Sequence, residues 1–271
     1  MTARTRHAAD GSSSWPLRNS YASVSSSVTA ANTRVALLVM DDRGAVRERV
    51  LRDMSLRVTH LDALPNGRFV VHGHSAAGDR NAQIYGMDGR RRRSFAMGRA
   101  VEYLMADRRH HVWSAYFDEG VYTDPISAAG LVRWDCGGNR QWGYSPAKGV
   151  EYIDTVYAFN VAAGVAWATY YPAFPLLEVR TNGDLRLRRT PVVAPAGMAV
   201  HGERITMLGG NRQPDRLHRC CLTESEALLV EEACLTLPNG APLQQYARPV
   251  GRGRHLYLRG TSPRQWYVTD I

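Results

Sequence analysis

A turn between two short hydrophobic strands recurs about every 45 residues along this chain. The turns carry Asn-Gly, Asp-Gly or similar residues, which favour tight β-hairpins. Four clear copies are MDDRGAV (Met40 to Val46), MDGRRR (Met87 to Arg92), WDCGGNRQW (Trp134 to Trp142) and RTNGDLRL (Arg180 to Leu187). A fixed period in this range indicates a solenoid, a propeller or an array. Because the repeated unit is all strand, the sequence predicts an all-β fold, a β-propeller.

The spacing of the turns also predicts how many sheets, or blades, the propeller has. Six four-stranded blades fit the spacing, and five blades are the alternative if the two chain ends share one blade. The last predicted strand, Gln265 to Asp270, leaves its blade one strand short. We therefore expect the N- and C-terminal strands to close the propeller, since a ring of sheets leaves only short edges.

The N-terminal residues have a different composition from the rest of the chain. Residues 1–30 are rich in Ser, Ala and Arg, and such a segment buries too little apolar surface to offset the entropy of ordering. We predict a mobile tail over residues 1–30 and a single propeller domain over residues 31–271. Tyr21 to Val28 alternates in polarity, which allows one further strand within the tail.

Targeting signals and cysteines indicate where the protein works. No apolar run approaches the roughly 20 residues that span a bilayer, and the N-terminus lacks the apolar stretch of a signal peptide. The four cysteines form no Cys-x-x-Cys pair, so neither a zinc site nor a disulfide framework is expected. These features predict a cytoplasmic protein without a membrane partner.

The formal charge of +9 raises the possibility of nucleic-acid binding. Lys148 is the only lysine, however, so the excess of arginine reflects composition rather than a phosphate-binding surface. The one dense run, Arg90 to Arg93, falls in a predicted hairpin turn, where a solvated loop is the ordinary interpretation. We therefore expect no nucleic-acid partner.

The repeated strand-turn-strand pattern resembles β-propeller proteins broadly, including the WD-repeat, NHL and quinoprotein-like groups. It lacks the Gly-His and Trp-Asp signatures of WD repeats. The segments YFDEGVY (Tyr116 to Tyr122), LVRWD (Leu131 to Asp135) and VAWATYYPAFPL (Val165 to Leu176) are similar to those of uncharacterised actinobacterial propeller proteins. This resemblance covers most of the chain after Arg34 and implies the propeller fold, without implying an activity.

The first strand of each blade begins, and the second strand ends, at the same mouth of a propeller. In this chain those positions are rich in polar and aromatic residues, which is typical of a ligand site. The predicted binding residues are His60, His74, Tyr103, Tyr152, Asp154, Tyr170, Tyr171, Asn211, Arg212 and Arg259.

Two glutamates occupy equivalent positions in a repeated Val-Glu-Tyr sequence, Glu102 and Glu151. If they face each other, each raises the pKa of the other, which suits general acid–base catalysis. The alternative is that each glutamate bonds a neighbouring backbone amide or arginine. The other candidate catalytic residues are Asp118, Glu119, His72 and Tyr116.

His72 and His74 lie two residues apart on a predicted strand, so their side chains point to the same face. With Asp118 or Glu102 they could bind a divalent metal ion, which is the alternative to our expectation of no cofactor and no metal. The aromatic segment from Tyr170 to Pro175 either closes over an apolar ligand or packs against the next blade.

These residues favour a small-molecule enzyme that uses acid–base groups at the channel mouth, of the lyase, isomerase, cyclase or hydrolase type. The alternative is a non-catalytic propeller scaffold that binds a protein or a ligand through the same face. The sequence assigns neither the substrate nor the reaction, because propellers host many unrelated functions.

Overall fold

The computed structural model describes residues 4–6, 21–27, 34–40, 46–75, 78–148, 150–240, 243, 249–259 and 266–270. The chain forms two compact units. The N-terminal unit is His7–Ser145, and the C-terminal unit combines Met1–Arg6 with Pro146–Ile271. The first strand, β1 (Arg4–Arg6), therefore belongs to the C-terminal unit.

In its described part, the N-terminal unit contains three antiparallel sheets. The first sheet holds β2 (Tyr21–Ser27), β3 (Arg34–Met40) and β4 (Val46–Leu51). The second holds β5 (Leu56–Ala63), β6 (Phe69–Ser75), β7 (Ala82–Tyr85) and β8 (Arg91–Phe95), with a 3-10 turn at Pro65–Gly67. The third holds β9 (Val101–Ala106), β10 (His111–Tyr116), β11 (Leu131–Asp135) and β12 (Arg140–Gly143). Helix α1 (Asp118–Thr123) follows β10.

The C-terminal unit contains three four-stranded antiparallel sheets in its described part. The first holds β13 (Thr155–Ala162), β14 (Val165–Tyr171), β15 (Leu176–Val179) and β16 (Leu185–Arg188). The second holds β17 (Gly197–His201), β18 (Arg204–Leu208), β19 (Arg216–Leu222) and β20 (Ala227–Cys234). The third holds β21 (Val250–Arg252), β22 (His255–Arg259) and β23 (Trp266–Asp270), with β1 as its fourth strand.

The two ends of the chain share one sheet, as the missing outer strand predicts. Strand β1 pairs antiparallel with β23, and Arg4 lies opposite Val268. The number of blades stays a prediction, as does the boundary between a tail over residues 1–30 and a domain over residues 31–271. Strands β1 and β2 both fall within residues 1–30.

Second and third strands are largely buried, as expected for strands covered on both faces. The apolar run of β6 is buried from Phe69 to Gly73, and β14 is buried from Ala166 to Tyr170. Trp113, Trp134 and Trp167 are also buried in their strands, so they pack in the core. Outer strands such as β20 are largely exposed.

The hairpin turns form where the sequence places Asn-Gly and Asp-Gly. Gly89 and Gly183 have φ angles of 71° and 92°, a left-handed conformation that glycine adopts without steric cost. The run Arg90 to Arg93 differs from its prediction, because three of its four arginines lie in strand β8 rather than in the turn. These three side chains are exposed, as expected for a solvated segment.

A helix replaces the loop expected after β10. Asp118 and Glu119 lie in the first turn of α1, where negative charge is favourable beside the partial positive charge of a helix N-terminus. A side chain at Gly120 would put its Cβ 2.2 Å from the Arg99 carbonyl oxygen, so the helix packs closely on the preceding segment. In the described ranges, no helix has the length and apolar character needed to cross a membrane.

Bulges near the start of three first strands position the candidate site residues. The pairing register shifts between Val58 and His60 in β5, so Thr59 is an extra residue. Glu102 in β9 and Tyr157 in β13 are the corresponding extra residues of their sheets. A β-bulge bends its strand and redirects a side chain, and bulges are common beside functional sites.

Candidate functional site

Hydrogen bonds connect three side chains of the N-terminal unit, those of Thr59, His60 and His72. We call these residues the histidine group. The Thr59 hydroxyl lies 3.1 Å from Nδ1 of His72 and 3.1 Å from Nδ1 of His60. The imidazole rings of the two histidines are 5.7 Å apart. Nε2 of His60 lies 3.1 Å from the Glu102 carbonyl oxygen. Because a carbonyl only accepts hydrogen bonds, this Nε2 carries a hydrogen.

His72 is neutral in this environment. Burial is the largest cause that lowers its pKa from 6.5 to about 3, and His60 and His74 lower it further. The nearby Gly98 carbonyl partly opposes the shift, but Nε2 of His72 is buried and has no well-formed hydrogen bond in the described part of the chain. His72 therefore acts as a buried neutral imidazole, and a ligand would meet the more accessible His60 and His74.

The low pKa of His72 makes stability depend on pH. The unfolded chain binds a proton at this histidine below pH 6.5, whereas the folded protein does so only below about pH 3. Protonation of the unfolded chain therefore disfavours folding as the pH falls through this window. His72 alone lowers the free energy of unfolding by about 2 kcal/mol between pH 7 and pH 5. We expect His72→Phe to show a correspondingly smaller loss of unfolding free energy over that range, measured by urea denaturation.

His201→Phe is the matched control, because His201 is an exposed strand histidine. It should retain the pH dependence of the unsubstituted protein. An equal pH dependence in the His72→Phe variant would contradict the assignment of this acid sensitivity to His72.

The other predicted residues of β5, β6 and β9 lie beside this group. His74 is exposed, and Glu102 and Tyr103 are half-buried. Glu102 contributes its carbonyl oxygen to His60, and the bulge redirects its side chain. The sequence pattern therefore brings His60, His72, His74 and Glu102 into one region of the N-terminal unit.

Tyr116 lies in the core rather than at a surface. Its side chain is fully buried, its hydroxyl donates to the Met97 carbonyl at 2.5 Å, and it accepts a hydrogen bond from Ser114 at 2.7 Å. The indole of Trp134 donates to Ser114 at 2.8 Å. Burial raises the pKa of Tyr116, so this tyrosine is a packing residue that a ligand does not reach.

Asp118 and Glu119 lie on helix α1, where Asp118 is half-buried and Glu119 is exposed. The Asp118 carboxylate accepts the backbone N–H of Glu119 at 2.6 Å, and the Thr123 hydroxyl donates to the Glu119 carbonyl. Asp118 thus helps to form the first turn of the helix.

The predicted carboxylate pair and the metal alternative both stay open. Glu102 belongs to the N-terminal unit and Glu151, an exposed residue, to the C-terminal unit, so their pairing stays a prediction. Across the described ranges, no three His, Cys, Asp or Glu side chains form a group that could hold a metal ion. The expectation of no metal, and the alternative of a metal ion at His72 and His74, both stay predictions.

The C-terminal unit places its predicted residues at different depths. Tyr170 is fully buried and belongs to the core. Asp154 is half-buried. The exposed members are Glu151, Tyr152, Tyr171, Asn211, Arg212 and Arg259.

Three of the aromatic rings in this unit form a corner at the start of β13 (Tyr157, Tyr171 and Phe174, the aromatic corner). The Tyr157 and Phe174 rings are 5.0 Å apart at an angle of 83°. The Tyr171 and Phe174 rings are 5.9 Å apart at 66°. Tyr157 is 37% exposed and Tyr171 is 49% exposed, so part of this aromatic surface meets solvent.

The turn after β14 holds Phe174 against the two tyrosines. Ala173 and Phe174 have φ angles of 62° and 51°, a region that residues with a Cβ adopt at a cost of about 1–3 kcal/mol. The backbone N–H of Phe174 donates to the Pro172 carbonyl at 2.9 Å. The Thr190 hydroxyl donates to the Phe174 carbonyl at 3.3 Å. The surrounding bonds thus maintain a backbone conformation that presents the Phe174 ring.

Sequence reasoning missed Thr59 and Tyr157 as site residues. Both are the extra residues of β-bulges, and a bulge interrupts the alternation by which a strand residue is assigned to a face. The one available signal is a polar or aromatic residue near the start of a first strand in each repeat.

No protein-family model matches the chain, and no curated protein matches it in sequence. Several solved structures, however, match the chain in fold. The virginiamycin B lyase of Staphylococcus aureus matches with a TM-score of 0.51 and 12% identity, over 91% of this chain and 83% of that one. A luciferin-regenerating enzyme matches with a TM-score of 0.51 and 13% identity, over 89% of this chain and 88% of that one.

Hsv2 of Kluyveromyces marxianus matches with a TM-score of 0.53 and 9% identity, over 89% of this chain and 69% of that one. At such identities the likeness shows the fold alone. The prediction of an all-β propeller is confirmed. The resemblance to actinobacterial propeller proteins stays a prediction, because no sequence match supports it. Two of these neighbours are named as enzymes, but propellers host many unrelated functions, so the fold does not choose between the two function classes.

Proposed function

We propose that this chain is a small-molecule-binding propeller and that its ligand is recognised at the aromatic corner. The observation that carries the proposal is the contact of the Phe174 ring with the two exposed rings of Tyr157 and Tyr171. Tyrosine and phenylalanine provide large apolar contact areas with little side-chain entropy to lose. Aromatic side chains with a few polar groups nearby are typical of small-molecule sites.

The placement of Tyr157 supports a recognition role over simple packing. From Thr155 to Val161, Tyr157 is the one exposed residue of β13, and its neighbours on both sides are buried. The bulge at Tyr157 produces this exposure. A packing residue at this position would be expected to turn inward with the rest of the strand.

The enzyme interpretation adds acid–base chemistry on the bound molecule by groups of the same unit. Glu151 and Asp154 are the carboxylates that precede β13 in the chain. The alternative remains a non-catalytic scaffold that binds a protein or ligand through this surface.

A ligand-observed NMR screen of neutral sugars, aromatic acids and amines tests the proposal. We expect at least one class of compound to bind, and Tyr157→Ser to weaken its affinity by about tenfold or more, because an aromatic contact surface is lost. Following the bound compound over time separates the function classes. Conversion of the compound supports the enzyme interpretation, and its persistence supports binding alone.

Tyr122→Ser is the matched control, since Tyr122 is an exposed tyrosine in helix α1 of the N-terminal unit. It should leave the affinity unchanged. Equal weakening by both substitutions, or binding that survives Tyr157→Ser, would contradict recognition at the aromatic corner. A change in oligomeric mass on Tyr157→Ser would instead indicate that the corner is a protein interface.

A further inference from the structure

The hydrogen bonds of the histidine group determine where each of its hydrogens lies. Nε2 of His60 donates to the Glu102 carbonyl, so Nδ1 of a neutral His60 is bare. The Thr59 hydroxyl, at 3.1 Å, is the donor that this Nδ1 needs, and its other acceptor, the His72 carbonyl, is farther away at 3.4 Å. A hydroxyl has only one hydrogen, so the Thr59 oxygen accepts from Nδ1 of His72 at 3.1 Å. In the neutral group, His72 therefore carries its hydrogen on Nδ1 and its Nε2 is bare.

The bare nitrogen of His72 lies in an unfavourable place. His72 is 7% exposed, and its Nε2 is buried without a well-formed hydrogen bond in the described part of the chain. The Gly98 carbonyl lies beside the ring and favours a hydrogen on it, since it raises the pKa of His72. A carbonyl oxygen offers no hydrogen to a bare nitrogen. The buried Nε2 is therefore an acceptor beside another acceptor.

Asn81 holds the Gly98 carbonyl close to strand β6. The Asn81 side chain donates to this carbonyl at 2.6 Å. The Asn81 backbone carbonyl accepts the N–H of Gly73, the residue after His72, at 3.0 Å. Because a carbonyl oxygen has two lone pairs, Gly98 can accept a second hydrogen bond. A hydrogen on Nε2 of His72 would thus find an acceptor already in position.

One added proton supplies that hydrogen. When His60 takes a proton on Nδ1, this nitrogen becomes a donor to the Thr59 oxygen. The Thr59 hydroxyl then turns and donates to Nδ1 of His72, which must release its own hydrogen. His72 stays neutral and carries its hydrogen on Nε2, toward Gly98. The balance is one proton gained from solvent and one positive charge, which lies on His60.

The exposure of the group allows this exchange in the folded protein. Thr59 is exposed and His60 is half-buried, so a proton reaches His60 without unfolding. The rings of His60 and His72 are 5.7 Å apart, and a charge on His60 lowers the pKa of His72. The pair therefore holds one positive charge rather than two.

Other charged and titratable side chains lie on the elements around the group. His74 is exposed on β6 and also lowers the pKa of His72. The Asp62 carboxylate accepts the N–H groups of Ala63 and Ala106. The remaining such residues of these elements and their loops are Arg57, Asp79, Arg80, Arg99, Glu102, Tyr103 and Asp118. Their charges can move the pH at which His60 gains its proton, but they leave the direction of each hydrogen bond unchanged.

We propose that the histidine group is a pH-dependent hydrogen-bond switch. Binding of one proton at His60 reverses the hydrogen bonds through Thr59 and lets Nε2 of His72 donate to the Gly98 carbonyl. The new bond ties β6 to the segment that leads into β9. That segment also holds the start of α1, since the Ala100 carbonyl accepts the Phe117 N–H at 2.9 Å. The switch belongs to the N-terminal unit and does not depend on the proposed ligand site.

Nitrogen-15 NMR of the histidine rings in the full chain tests the switch, because protonated and bare ring nitrogens have well-separated chemical shifts. We expect His72 to carry its hydrogen on Nδ1 at pH 8 and on Nε2 at pH 5, a range that includes the ordinary histidine pKa of about 6.5. The ratio of the two His72 tautomers should change by about tenfold or more. His60 should gain its second hydrogen over the same range.

Two substitutions of Thr59 test the connection between the rings. In Thr59→Val, which removes the hydroxyl, His60 should still gain a proton, but the His72 tautomer ratio should no longer follow it. Thr59→Ser keeps the hydroxyl and should keep the coupled change. Thr123→Val is the matched control, because Thr123 is an exposed threonine of the same unit whose hydroxyl donates to the Glu119 carbonyl. It should leave the switch intact.

Several results would overturn the proposal. They are the same His72 tautomer at pH 8 and pH 5, a His72 ring that gains its second hydrogen before His60 does, and a coupled change that survives Thr59→Val. Urea denaturation at pH 8 establishes that each variant is folded. If Thr59→Val does not fold, the tautomers of the unsubstituted chain and of Thr59→Ser still decide the matter.

Discussion

Replacing Glu178 with leucine is expected to lower the free energy of unfolding by about 3–5 kcal/mol, because it leaves a buried arginine without its partner. Arg188 donates to Glu178 at 2.8 Å, and both side chains are about 5% exposed. Arg188 also donates to the Thr223 carbonyl at 2.6 Å and lies over the Trp167 ring. Burial raises the pKa of Glu178, but Arg180 and Arg188 together hold it below its ordinary value.

Urea denaturation at neutral pH measures this loss. The double variant Glu178→Leu, Arg188→Met is the matched control, since replacing both members of a buried ion pair by apolar residues is often close to neutral. It should recover most of the stability that Glu178→Leu loses. A single variant as stable as the unsubstituted protein would show that Arg188 needs no carboxylate in this position.

Asn160→Leu is expected to destabilise the C-terminal unit by about 2–4 kcal/mol, because the side chain is fully buried and bonds two other segments. Its amide donates to the Met198 carbonyl at 2.8 Å and to the Gly253 carbonyl at 3.0 Å. Its oxygen accepts the Gly253 N–H at 2.9 Å. Leucine would leave that partly buried N–H without this acceptor.

Thermal and urea denaturation of Asn160→Leu should show the loss. Asn182→Leu is the control, because Asn182 is an exposed residue in the turn between β15 and β16. We expect a change below about 1 kcal/mol there. If the two variants lose the same stability, the hydrogen bonds of Asn160 do not hold β13, β17 and the β21–β22 turn together.

The sequence predicts the sheets because their signals are local. Turns such as those at Gly89 and Gly183 require left-handed backbone, and the flanking strands have the expected apolar pattern. The pairing of β1 with β23 also follows from counting strands. Helix α1 was not predicted, because six residues are too few to show a helical period.

The candidate site is harder to predict, because it depends on the face to which a side chain points. Tyr116 and Tyr170 occupy the ends of second strands, as predicted, but both point into the core. Tyr157 is exposed only through a bulge, which the alternating pattern cannot show. The contact of Phe174 with Tyr157 depends on a turn with two left-handed residues that are not glycine.

Binding at the aromatic corner is tested most directly by soaking crystals of the full chain with a fragment library that contains neutral, acidic and cationic compounds. The account predicts electron density for bound fragments in contact with the rings of Tyr157 and Phe174. Fragments that bind reproducibly elsewhere, with none at these two rings, would contradict it.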